Sequence, residues 1–392
     1  MSIFKVTGGY IPAEKQGGTA VVAHDLVKAF QNQGHQVKVF TTNANGEDYL
    51  PYDNVWHSIE GVDVFFARKI KSILPFKSPS LIEELEKYID ACDVILLSAV
   101  WVWYGPFVVK LAKKYRKPVY LYTHGVRSNA RMRSQSYYKK LLWWFLFDKK
   151  MFKSVTGIIA ITADEQTELS QLTGHKNIIV IPNGVREQIE ENNSREILAT
   201  NINFNDNTKF IFFLGRTEPI KGCDLLIKSF SRISVPDGQD WRLVISGPDR
   251  NNHKVELEHL CRDLGIRDRV VFTGSVSGAL KSSLFQETSG FALLSLTEVL
   301  AMSVLEAMQY SKPVIVTDTN AFDAFIKKGV IYGADRDANT IAKILLKMLT
   351  ADTEATSLGR RAKEEIQNNY TWSSIADQTL EVLSTLELGK KL

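Results

Sequence analysis

Short apolar runs, bounded by glycine, proline or asparagine, alternate with amphipathic segments along the first half of the chain. Apolar runs of about four to eight residues predict buried strands, and apolar positions at helical spacing predict helices. The predicted strands are 3–7, 36–42, 62–67, 94–99, 119–123, 158–162 and 178–181. The predicted helices are 17–30, 81–89 and 107–115, with a further helix that Asp164 is placed to cap. This alternation is typical of a doubly wound parallel sheet.

A second alternating series follows a polar stretch, 186–208, that is rich in Glu, Asn and Asp. Its predicted strands are 210–214, 242–246, 270–273, 290–296 and 313–317. Its predicted helices are 222–233, 254–264, 303–310, 337–349 and 354–369, and a last helix opens at 370–372. The pattern therefore predicts a first domain over 1–185, a linker over 186–208, a second domain over 209–370 and a final helix over 371–392 that is a candidate to cross back to the first domain. Two such sheets in tandem predict a cleft between them.

Length and composition agree with this organisation. A chain of 392 residues exceeds what one hydrophobic core usually supports. The 44% of apolar and 23% of charged residues are ordinary for a globular protein. Three scattered cysteines, without CxxC spacing or nearby histidine pairs, support neither a disulfide framework nor a structural zinc site. Because the sequence shows no secretory signal pattern and no long apolar segment, we expect a cytoplasmic protein.

Positive charge is concentrated between Lys110 and Lys153, where thirteen Lys or Arg stand against one acid, although the net charge is only +4. Within this region, segment 137–153 mixes aromatic residues with lysines, including Lys139, Lys140, Trp143, Trp144, Lys149 and Lys150. Such a segment suits an anionic membrane interface, with its aromatic side inward and its lysines near the headgroups. A helix that packs on its own domain through the aromatic residues is an equal alternative. Nucleic acid is a weaker one, since no usual binding motif accompanies the charge.

Glu298 and Glu306 lie eight positions apart around the end of an apolar run. A continuous helix would separate them by about 12 Å, which exceeds the ~5 Å between the carboxylates of a retaining glycosidase. We therefore expect them to have different roles. With Glu298 on a strand-to-helix turn and Glu306 on the first turns of the helix, both would face the crevice at the carboxyl end of a parallel sheet, where a nucleotide sugar can bind. The alternative is a surface helix with two solvated glutamates.

Arg216 and Lys221 lie in a segment that follows a strand and opens a helix. Free backbone N–H groups at a helix start and two nearby cations favour an anionic ligand, and the guanidinium fork matches phosphate oxygens. A diphosphate leaving group gains charge as a glycosidic bond breaks, so cations fixed here would stabilise the transition state more than the ground state. The alternative is a solvated helix start.

Weaker candidates accompany these two motifs. Gly17 and Gly18 follow the first strand and allow close approach of a ligand to the backbone. His124, at a strand end, is a candidate to hydrogen-bond the donor sugar or to accept a proton from the acceptor, although a lone histidine is more often structural. Segment 335–337 matches an Asp-x-Asp metal motif, but Asp337 before a helix is better explained as a cap. The glycines do not spell GxGxxG, which disfavours a dehydrogenase.

Taken together, the chain resembles the retaining glycosyltransferases of family 4, which have the two-Rossmann GT-B architecture, over nearly its whole length. The matching pieces are, in order, Gly17-Gly18 with Gly34-His35, His124-Gly125, Ile-Pro-Asn-Gly-Val at 181–185, Gly215-Arg216 with Lys221-Gly222, Val-Phe-Thr-Gly at 271–274 and the Glu298/Glu306 pair. The ordered set is far more specific than any one piece. Within the family, Trp101, segment 120–125 and the linker look most like enzymes that build bacterial surface polysaccharides on lipid carriers.

The resemblance implies roles for the matching residues. Arg216 and Lys221 would bind the donor diphosphate, and Glu306 would bind the ribose. Glu298 and His124 would bind the donor sugar. Gly17 and Gly18 would lie near the reaction centre. It implies no metal and no cofactor other than the nucleoside diphosphate sugar as co-substrate. The implied reaction is front-face attack, in which the leaving phosphate takes the acceptor proton and the protein contributes positioning and electrostatics.

Two departures from the family pattern affect the sugar pocket. Small residues usually follow the first Glu, whereas this chain has Val299-Leu300-Ala301, and a glycine-rich turn is replaced by Thr-Asn-Ala-Phe-Asp at 319–323. We therefore expect an unusual donor or a reshaped sugar pocket, with loss of catalysis as the harsher alternative.

The predicted function is metal-independent, retaining transfer of a hexose from a nucleoside diphosphate sugar to a glycan acceptor. We expect that acceptor to be lipid-linked, in bacterial surface polysaccharide or lipopolysaccharide biosynthesis, with the enzyme peripheral on the inner face of the cytoplasmic membrane. A noncatalytic GT-B protein that binds a nucleotide sugar or acts as a scaffold, and a GT-B epimerase or phosphorylase, are the alternatives.

Overall fold

The computed structural model describes residues 1–125, 141–317 and 320–388, which fold into two compact units. The first unit comprises Met1–Gly184 and Trp372–Leu392, and the second comprises Val185–Thr371. Each unit contains a Rossmann-like, largely parallel sheet with helices. The α/β class with two such sheets, predicted from the alternation of apolar runs and amphipathic segments, is confirmed.

The first unit follows the predicted alternation of strands and helices. Its described strands are β1 (Ser2–Val6), β2 (Gln36–Thr42), β3 (Ala44–Asn45), β4 (Asp48–Tyr49), β5 (Val55–Ile59), β6 (Val62–Ala67), β7 (Val94–Ser98), β8 (Val119–Tyr122), β9 (Gly157–Ala160) and β10 (Ile178–Val180). Its helices before residue 184 include α1 (Gly18–Asn32), α2 (Pro79–Tyr88), α3 (Tyr104–Lys114), α4 (Lys149–Ser154) and α5 (Ala163–Thr173).

The first sheet has the strand order β10-β9-β8-β7-β1-β2-β6-β5. Its strands pair in parallel except at the edge, where β5 is antiparallel to β6. The winding reverses direction between β1 and β7, and sheets of this type bind ligands outside the carboxyl ends of the strands at such a switch point. The carboxyl ends of β1, β7 and β8 are therefore the expected ligand-binding positions of this unit.

The second unit repeats the scheme with six parallel strands in the described residues. Its strands are β11 (Thr208–Leu214), β12 (Asp240–Ser246), β13 (Val270–Gly274), β14 (Gly290–Leu293), β15 (Val314–Thr317) and β16 (Tyr332–Ala334). Its helices are α6 (Ser194–Ile202), α7 (Cys223–Phe230), α8 (His253–Asp263), α9 (Gly278–Glu287), α10 (Met302–Gln309), α11 (Asp323–Lys327), α12 (Ala338–Leu349) and α13 (Thr353–Asn369). The order β13-β12-β11-β14-β15-β16 is that of a dinucleotide-binding sheet, with its switch point between β11 and β14.

The central strands of both sheets are continuous apolar runs because helices cover both faces. In β11 the side chains of residues 210–213 are all buried, and Phe212 packs edge-on against Phe285 and Phe291. Gly290 at the start of β14 lies against Met348, where a Cβ would come within 2.6 Å of the sulfur.

The last helix, α14 (Trp372–Leu388), belongs to the first unit although it follows the whole second unit in the chain. It packs on α1, where Gln33 donates a hydrogen bond to Asp377 at 2.9 Å. Trp372 lies against Gly184, at which a Cβ would meet the indole ring at 2.6 Å.

Several local predictions need correction. Segment 186–208, predicted as a linker, contains α6, whose Leu198 is buried in the core of the second unit, because a mainly polar segment needs only a few apolar residues to anchor a helix. Helix α9 was not predicted. The cap of α5 is Thr162, whose side chain accepts a hydrogen bond from the Glu165 N–H, and not Asp164.

Candidate functional site

The loop after β11 is tied to the end of β12, which is tied in turn to the end of β13. The N–H of Gly215 donates to the carbonyl of Ser246 at 2.9 Å, and the N–H of Gly247 donates to the carbonyl of Gly274 at 2.7 Å. A Cβ at Gly247 would lie 1.8 Å from the carbonyl oxygen of Gly215, so only glycine fits there. The backbone that carries Arg216 is thereby held against its neighbours.

Gly222 joins the β11–α7 loop to the β14–α10 loop across the switch point. Its φ is +72°, and a Cβ there would lie 2.0 Å from the carbonyl oxygen of Leu294. The N–H of Leu296 donates to the carbonyl of Ile220 at 2.8 Å, and Arg336 donates to the carbonyl of Leu294 at 2.7 Å. These contacts bring the two loops that carry Lys221 and Glu298 together.

Lys221 and Glu298 form an ion pair where the β11–α7 and β14–α10 loops meet. Ser295 also donates a hydrogen bond to the Glu298 carboxylate, at 2.8 Å. The side chains are 16% and 7% exposed, so the charges are largely withdrawn from solvent. Lys221 and Ser295 both donate to the same carboxylate oxygen of Glu298.

Arg216 is paired differently. Its guanidinium lies 2.7 Å from the carboxylate of Glu218, and its side chain is 40% exposed. Of the predicted phosphate-binding cations, Lys221 is therefore held in a partly buried pair, while Arg216 lies on the accessible side of the same loop.

Glu306 lies in the second turn of α10 and pairs with Lys281 of α9 at 2.8 Å. One turn further along each helix, Phe285 stacks on Tyr310 with ring centroids 5.5 Å apart. Lys281 was not anticipated, because α9 itself was not predicted. The structure thus separates the two glutamates as expected: Glu298 lies in the β14–α10 loop and Glu306 on the helix, each with its own lysine.

In the first unit, Gly17 and Gly18 lie at the N-terminus of α1 and are exposed. Gly17 has a φ of +69°, and a Cβ added at either glycine would meet nothing within 4 Å. The backbone there is open to a ligand.

His124 lies two residues after the end of β8, with a φ of +50°. Its Nε2 lies 2.9 Å from Ser98 Oγ, and its ring stacks on Tyr122 at a centroid distance of 5.7 Å. Burial, assisted by the charge of Lys5, lowers the pKa of His124 to about 3. The imidazole is therefore neutral at physiological pH.

Glu165 is a residue that the sequence analysis missed. Its buried carboxylate accepts hydrogen bonds from Thr123 Oγ1 at 2.6 Å, from the Gly125 N–H at 2.7 Å and from the Ile161 N–H at 2.7 Å. Burial nevertheless raises the pKa of Glu165, against the effect of those bonds. It holds the residues on both sides of His124. The signal was present, since Thr162 and Glu165 have the spacing of a capping box.

Segment 141–154 only partly matches the predicted membrane face. Trp144 is buried and Trp143 donates a hydrogen bond to Asp148 at 3.1 Å, which for these two indoles agrees with the alternative that the segment packs on its own domain. The exposed apolar side chains are instead Leu142, Phe145 and Leu146, which are 59% to 61% exposed. Lys149 and Lys150 beside them are exposed, whereas Lys139 and Lys140 lie outside the described residues. We call Leu142, Phe145, Leu146, Lys149 and Lys150 the apolar-basic patch.

Three further observations concern a helix cap, metal ligands and membrane-spanning helices. Asp337 caps α12, accepting a hydrogen bond from the Thr340 N–H at 2.7 Å, as predicted. Over 1–125, 141–317 and 320–388, no three His, Cys, Asp or Glu side chains group as metal ligands. Within the same ranges, none of the helices has the length and apolar character needed to cross a membrane.

Family models match both halves of the chain. A model of glycosyltransferase family 4 matches residues 16–188, and a model of glycosyl transferases group 1 matches residues 194–365. An uncharacterized glycosyltransferase of Methanocaldococcus jannaschii is 27% identical over 411 residues, which cover 97% of each chain.

Two further proteins show the same likeness. Alpha-monoglucosyldiacylglycerol synthase of Streptococcus pneumoniae is 23% identical over 386 residues, covering 94% of this chain and 83% of that protein. The crystal structure of HepE from Anabaena, in complex with UDP and glucose, superposes with a TM-score of 0.74 at 17% identity over 98% of this chain and 100% of that one. The two family models, these relatives and the paired Rossmann-like sheets identify the chain as a glycosyltransferase of the family 4 type with the GT-B fold.

Proposed function

We propose that the protein transfers a hexose, with retention of configuration and without a metal ion, from a nucleoside diphosphate sugar to a lipid-linked glycan of a bacterial surface polysaccharide. The observation that carries the proposal is the arrangement of Arg216 and Lys221 at the switch point of the second sheet. Both lie on the loop that opens α7, where the side chain of Arg216 is 40% exposed and that of Lys221 is 16% exposed. HepE, which shares the fold, binds UDP, and this supports a uridine nucleotide as the first donor to examine.

The leaving diphosphate carries more negative charge in the transition state than in the bound donor. Lys221 and Arg216 would stabilise that charge, and the N–H groups at the start of α7 add their partial positive charge. Because each cation already has a carboxylate partner, donor binding involves sharing Lys221 with Glu298 and Arg216 with Glu218.

The carboxylates have separate roles in this proposal. Glu306, a carboxylate that accepts hydrogen bonds, would bind the ribose hydroxyls, with Lys281 keeping its charge and orientation. Glu298 would accept from a hydroxyl of the donor sugar with its second oxygen, since one oxygen is occupied by Lys221 and Ser295. In the first unit, the open backbone at Gly17 and Gly18 and the imidazole of His124 would contact the reacting sugars.

A donor screen tests the first step. A ligand that binds only the folded state raises the melting temperature, so the purified protein is heated with UDP-, GDP- and dTDP-sugars and transfer is then measured with the donor that stabilises it. Arg216→Ala and Glu306→Ala are expected to lower kcat/KM by about 100-fold. Arg232→Ala, beyond the other end of α7, is the matched control and is expected to behave as wild type. Unchanged transfer by the first two variants would show that the donor site lies elsewhere.

Product analysis separates the enzyme from its alternatives. Release of nucleoside diphosphate with formation of an α-linked product from an α-linked donor supports retaining transfer. Binding of the donor with neither transfer nor hydrolysis would instead support a noncatalytic, nucleotide-sugar-binding protein. Full activity in the presence of a chelator is expected for a metal-independent enzyme.

The lipid-linked acceptor is supported by the apolar-basic patch. Exposed Leu142, Phe145 and Leu146 next to two exposed lysines provide apolar surface for an acyl region and positive charge for anionic headgroups. The name of the Streptococcus pneumoniae relative likewise refers to a diacylglycerol product. The proposal therefore places the enzyme on the cytoplasmic face of an anionic membrane.

Flotation with vesicles tests this part. Binding to vesicles that contain phosphatidylglycerol is expected to weaken at high salt, on replacing Lys149 and Lys150 by Gln, and on replacing Phe145 and Leu146 by Ser. Ile189→Ser is the control, because Ile189 is equally exposed, at 62%, but lies in the second unit. Equal flotation of the patch variants and the control would rule out membrane docking through this patch.

A further inference from the structure

Lys5 is a buried lysine near the switch point of the first sheet. It lies on β1, is 1% exposed, and has its ammonium 2.9 Å from Ser98 Oγ and 4.4 Å from the centre of the Tyr122 ring. Ser98 is its polar partner and Tyr122 its aromatic partner. No carboxylate of the described residues forms an ion pair with Lys5. Burial lowers the pKa of Lys5 to about 7. Burying a lysine without a carboxylate partner costs folding free energy. Because Lys5 lies near the carboxyl end of β1, its burial indicates a role at the strand ends.

Ser98 links Lys5 to His124. Its hydroxyl oxygen lies 2.9 Å from the Lys5 ammonium and 2.9 Å from His124 Nε2. A protonated lysine can only donate, so Ser98 Oγ accepts from Lys5 and keeps its own hydrogen to donate. Among its partners in the described residues, His124 Nε2 is the acceptor for that hydrogen. A neutral imidazole that accepts at Nε2 carries its hydrogen on Nδ1.

We propose that Lys5 and Ser98 are positioning residues that hold His124 as the Nδ1–H tautomer, so that His124 donates a hydrogen bond to an oxygen of the bound sugar and does not act as a base. The choice of ligand rests on the proposed function. The proposed tautomer rests on the Lys5–Ser98–His124 contacts, with Ser98 Oγ accepting from Lys5 and donating to His124 Nε2. A histidine at this strand end can donate a hydrogen bond to the sugar or accept a proton. The contacts favour donation, since Nε2 is occupied by Ser98 and a protonated Nδ1 has no free lone pair.

The surroundings of His124 support this orientation. The ring is stacked on Tyr122, and Glu165 binds the residues on either side of it, Thr123 and Gly125. Tyr104 fixes the Ser98 backbone by donating to its carbonyl at 2.6 Å. Within the described residues, Nδ1 of His124 has no recorded hydrogen-bond partner, so its hydrogen is available to a ligand.

Nitrogen NMR measures the tautomer without any activity assay. In protein labelled with nitrogen-15 at histidine and held at pH 6, the His124 signals, assigned by their loss in His124→Gln, are expected to show a protonated Nδ1 and an unprotonated Nε2. An Nε2–H tautomer or an imidazolium ion at that pH would overturn the proposal. Lys5→Met removes the donor to Ser98 and is expected to shift the population toward Nε2–H. Lys38→Met, which removes a lysine of the neighbouring strand β2 that pairs with Asp63 at the surface, is expected to leave it unchanged.

Kinetics test whether the contact matters for the reaction. Ser98→Ala is expected to lower kcat/KM for the donor by about tenfold, and Ser98→Thr, which keeps the hydroxyl, to restore it. A structural role alone would lower the amount of folded protein and not this ratio. If Ser98→Ala retains full kcat/KM while Arg216→Ala loses it, the positioning role is wrong and the donor site stands. If no donor is turned over by the wild type, the proposed function is wrong, and the NMR result still decides the tautomer.

Discussion

Gly222 in the second unit and Gly18 in the first both stand where a helix starts after a switch-point strand, but a side chain added at each would meet different surroundings. At Gly222 it would lie 2.0 Å from the carbonyl oxygen of Leu294, whereas at Gly18 it would meet nothing within 4 Å. In the second unit, glycine allows two loops to pack against each other. In the first, glycine leaves a strip of backbone open.

The charged residues at the two switch points differ in the same way. In the second unit each named cation has a carboxylate partner: Arg216 has Glu218, Lys221 has Glu298 and Lys281 has Glu306. In the described part of the first unit, Lys5 has a hydroxyl and an aromatic ring. Under the proposed function, this difference fits one unit that binds the negatively charged diphosphate and another that binds neutral hydroxyl groups by directed hydrogen bonds.

The largest expected effect is that of Gly222→Ala. Because the new Cβ would overlap a carbonyl oxygen and the backbone is at positive φ, we expect a loss of at least about 3 kcal/mol in the free energy of unfolding. Gly18→Ala, the matched change, is expected to alter it by less than about 0.5 kcal/mol. Urea titration with hydrogen exchange on peptides of each unit measures both. Equal stability of the two variants would remove the contrast between the glycines.

The next effect concerns the buried pair. Glu298→Ala leaves Lys221 largely buried without its carboxylate, and we expect a loss of about 2 to 3 kcal/mol. Glu365→Ala, which removes the partner of the exposed Lys328, is expected to cost less than about 1 kcal/mol. Pyrophosphate should raise the melting temperature of Glu298→Ala more than that of wild type, since it supplies the missing negative charge. An equal rise in both would argue against Lys221 as a phosphate ligand.

A third prediction uses pH to examine the first unit. The pKa of His124 is lowered from 6.5 to about 3, so between these values the unfolded chain binds a proton that the folded protein does not. The contribution of His124 to stability is therefore lost as pH falls through this window, by up to about 1.4 kcal/mol per pH unit. His124→Gln should make the stability less dependent on pH between 6 and 4. Parallel curves for the two proteins would contradict an imidazole that stays neutral in the folded protein.

The smallest effect is expected for Lys281→Met. The Lys281–Glu306 pair is only partly buried, so the free energy of unfolding should fall by less than about 1 kcal/mol. The KM for the donor should rise severalfold, because Glu306 loses the group that orients it, while kcat changes little. Lys228→Met, which removes an exposed pair on α7, is the control for the loss of one lysine. A fall in kcat with an unchanged KM would place Lys281 in the chemical step instead.

The apolar runs were sufficient to predict most strands of both sheets, because parallel strands covered on both faces are short and uniformly apolar. Helix α9 was missed, since residues 278–287 contain two serines and no clear apolar stripe. Its presence was nevertheless implied, because two parallel strands such as β13 and β14 need a crossover connection between them. Lys281 would have been found by applying that rule.

The contacts of the candidate site depend on strand order, which cannot be predicted from individual apolar runs. Lys221 meets Glu298 because β11 and β14 are neighbours in the sheet. The buried position of Lys5 was not predicted. A strand over residues 3–7 puts Lys5 on the same face as Ile3 and Thr7, but only the surrounding strands and side chains show that this face is covered.

The assignment of α14 to the first unit has a consequence for how the protein folds during synthesis. Residues 372–388 leave the ribosome after the whole second unit, so the first unit must wait, with the face of α1 that α14 covers still exposed, while nearly 190 residues are made. The second unit is continuous and can fold without delay. A nascent chain stalled before Trp372 should therefore carry a folded second unit and an incomplete first one, and a chaperone would be expected to bind along α1.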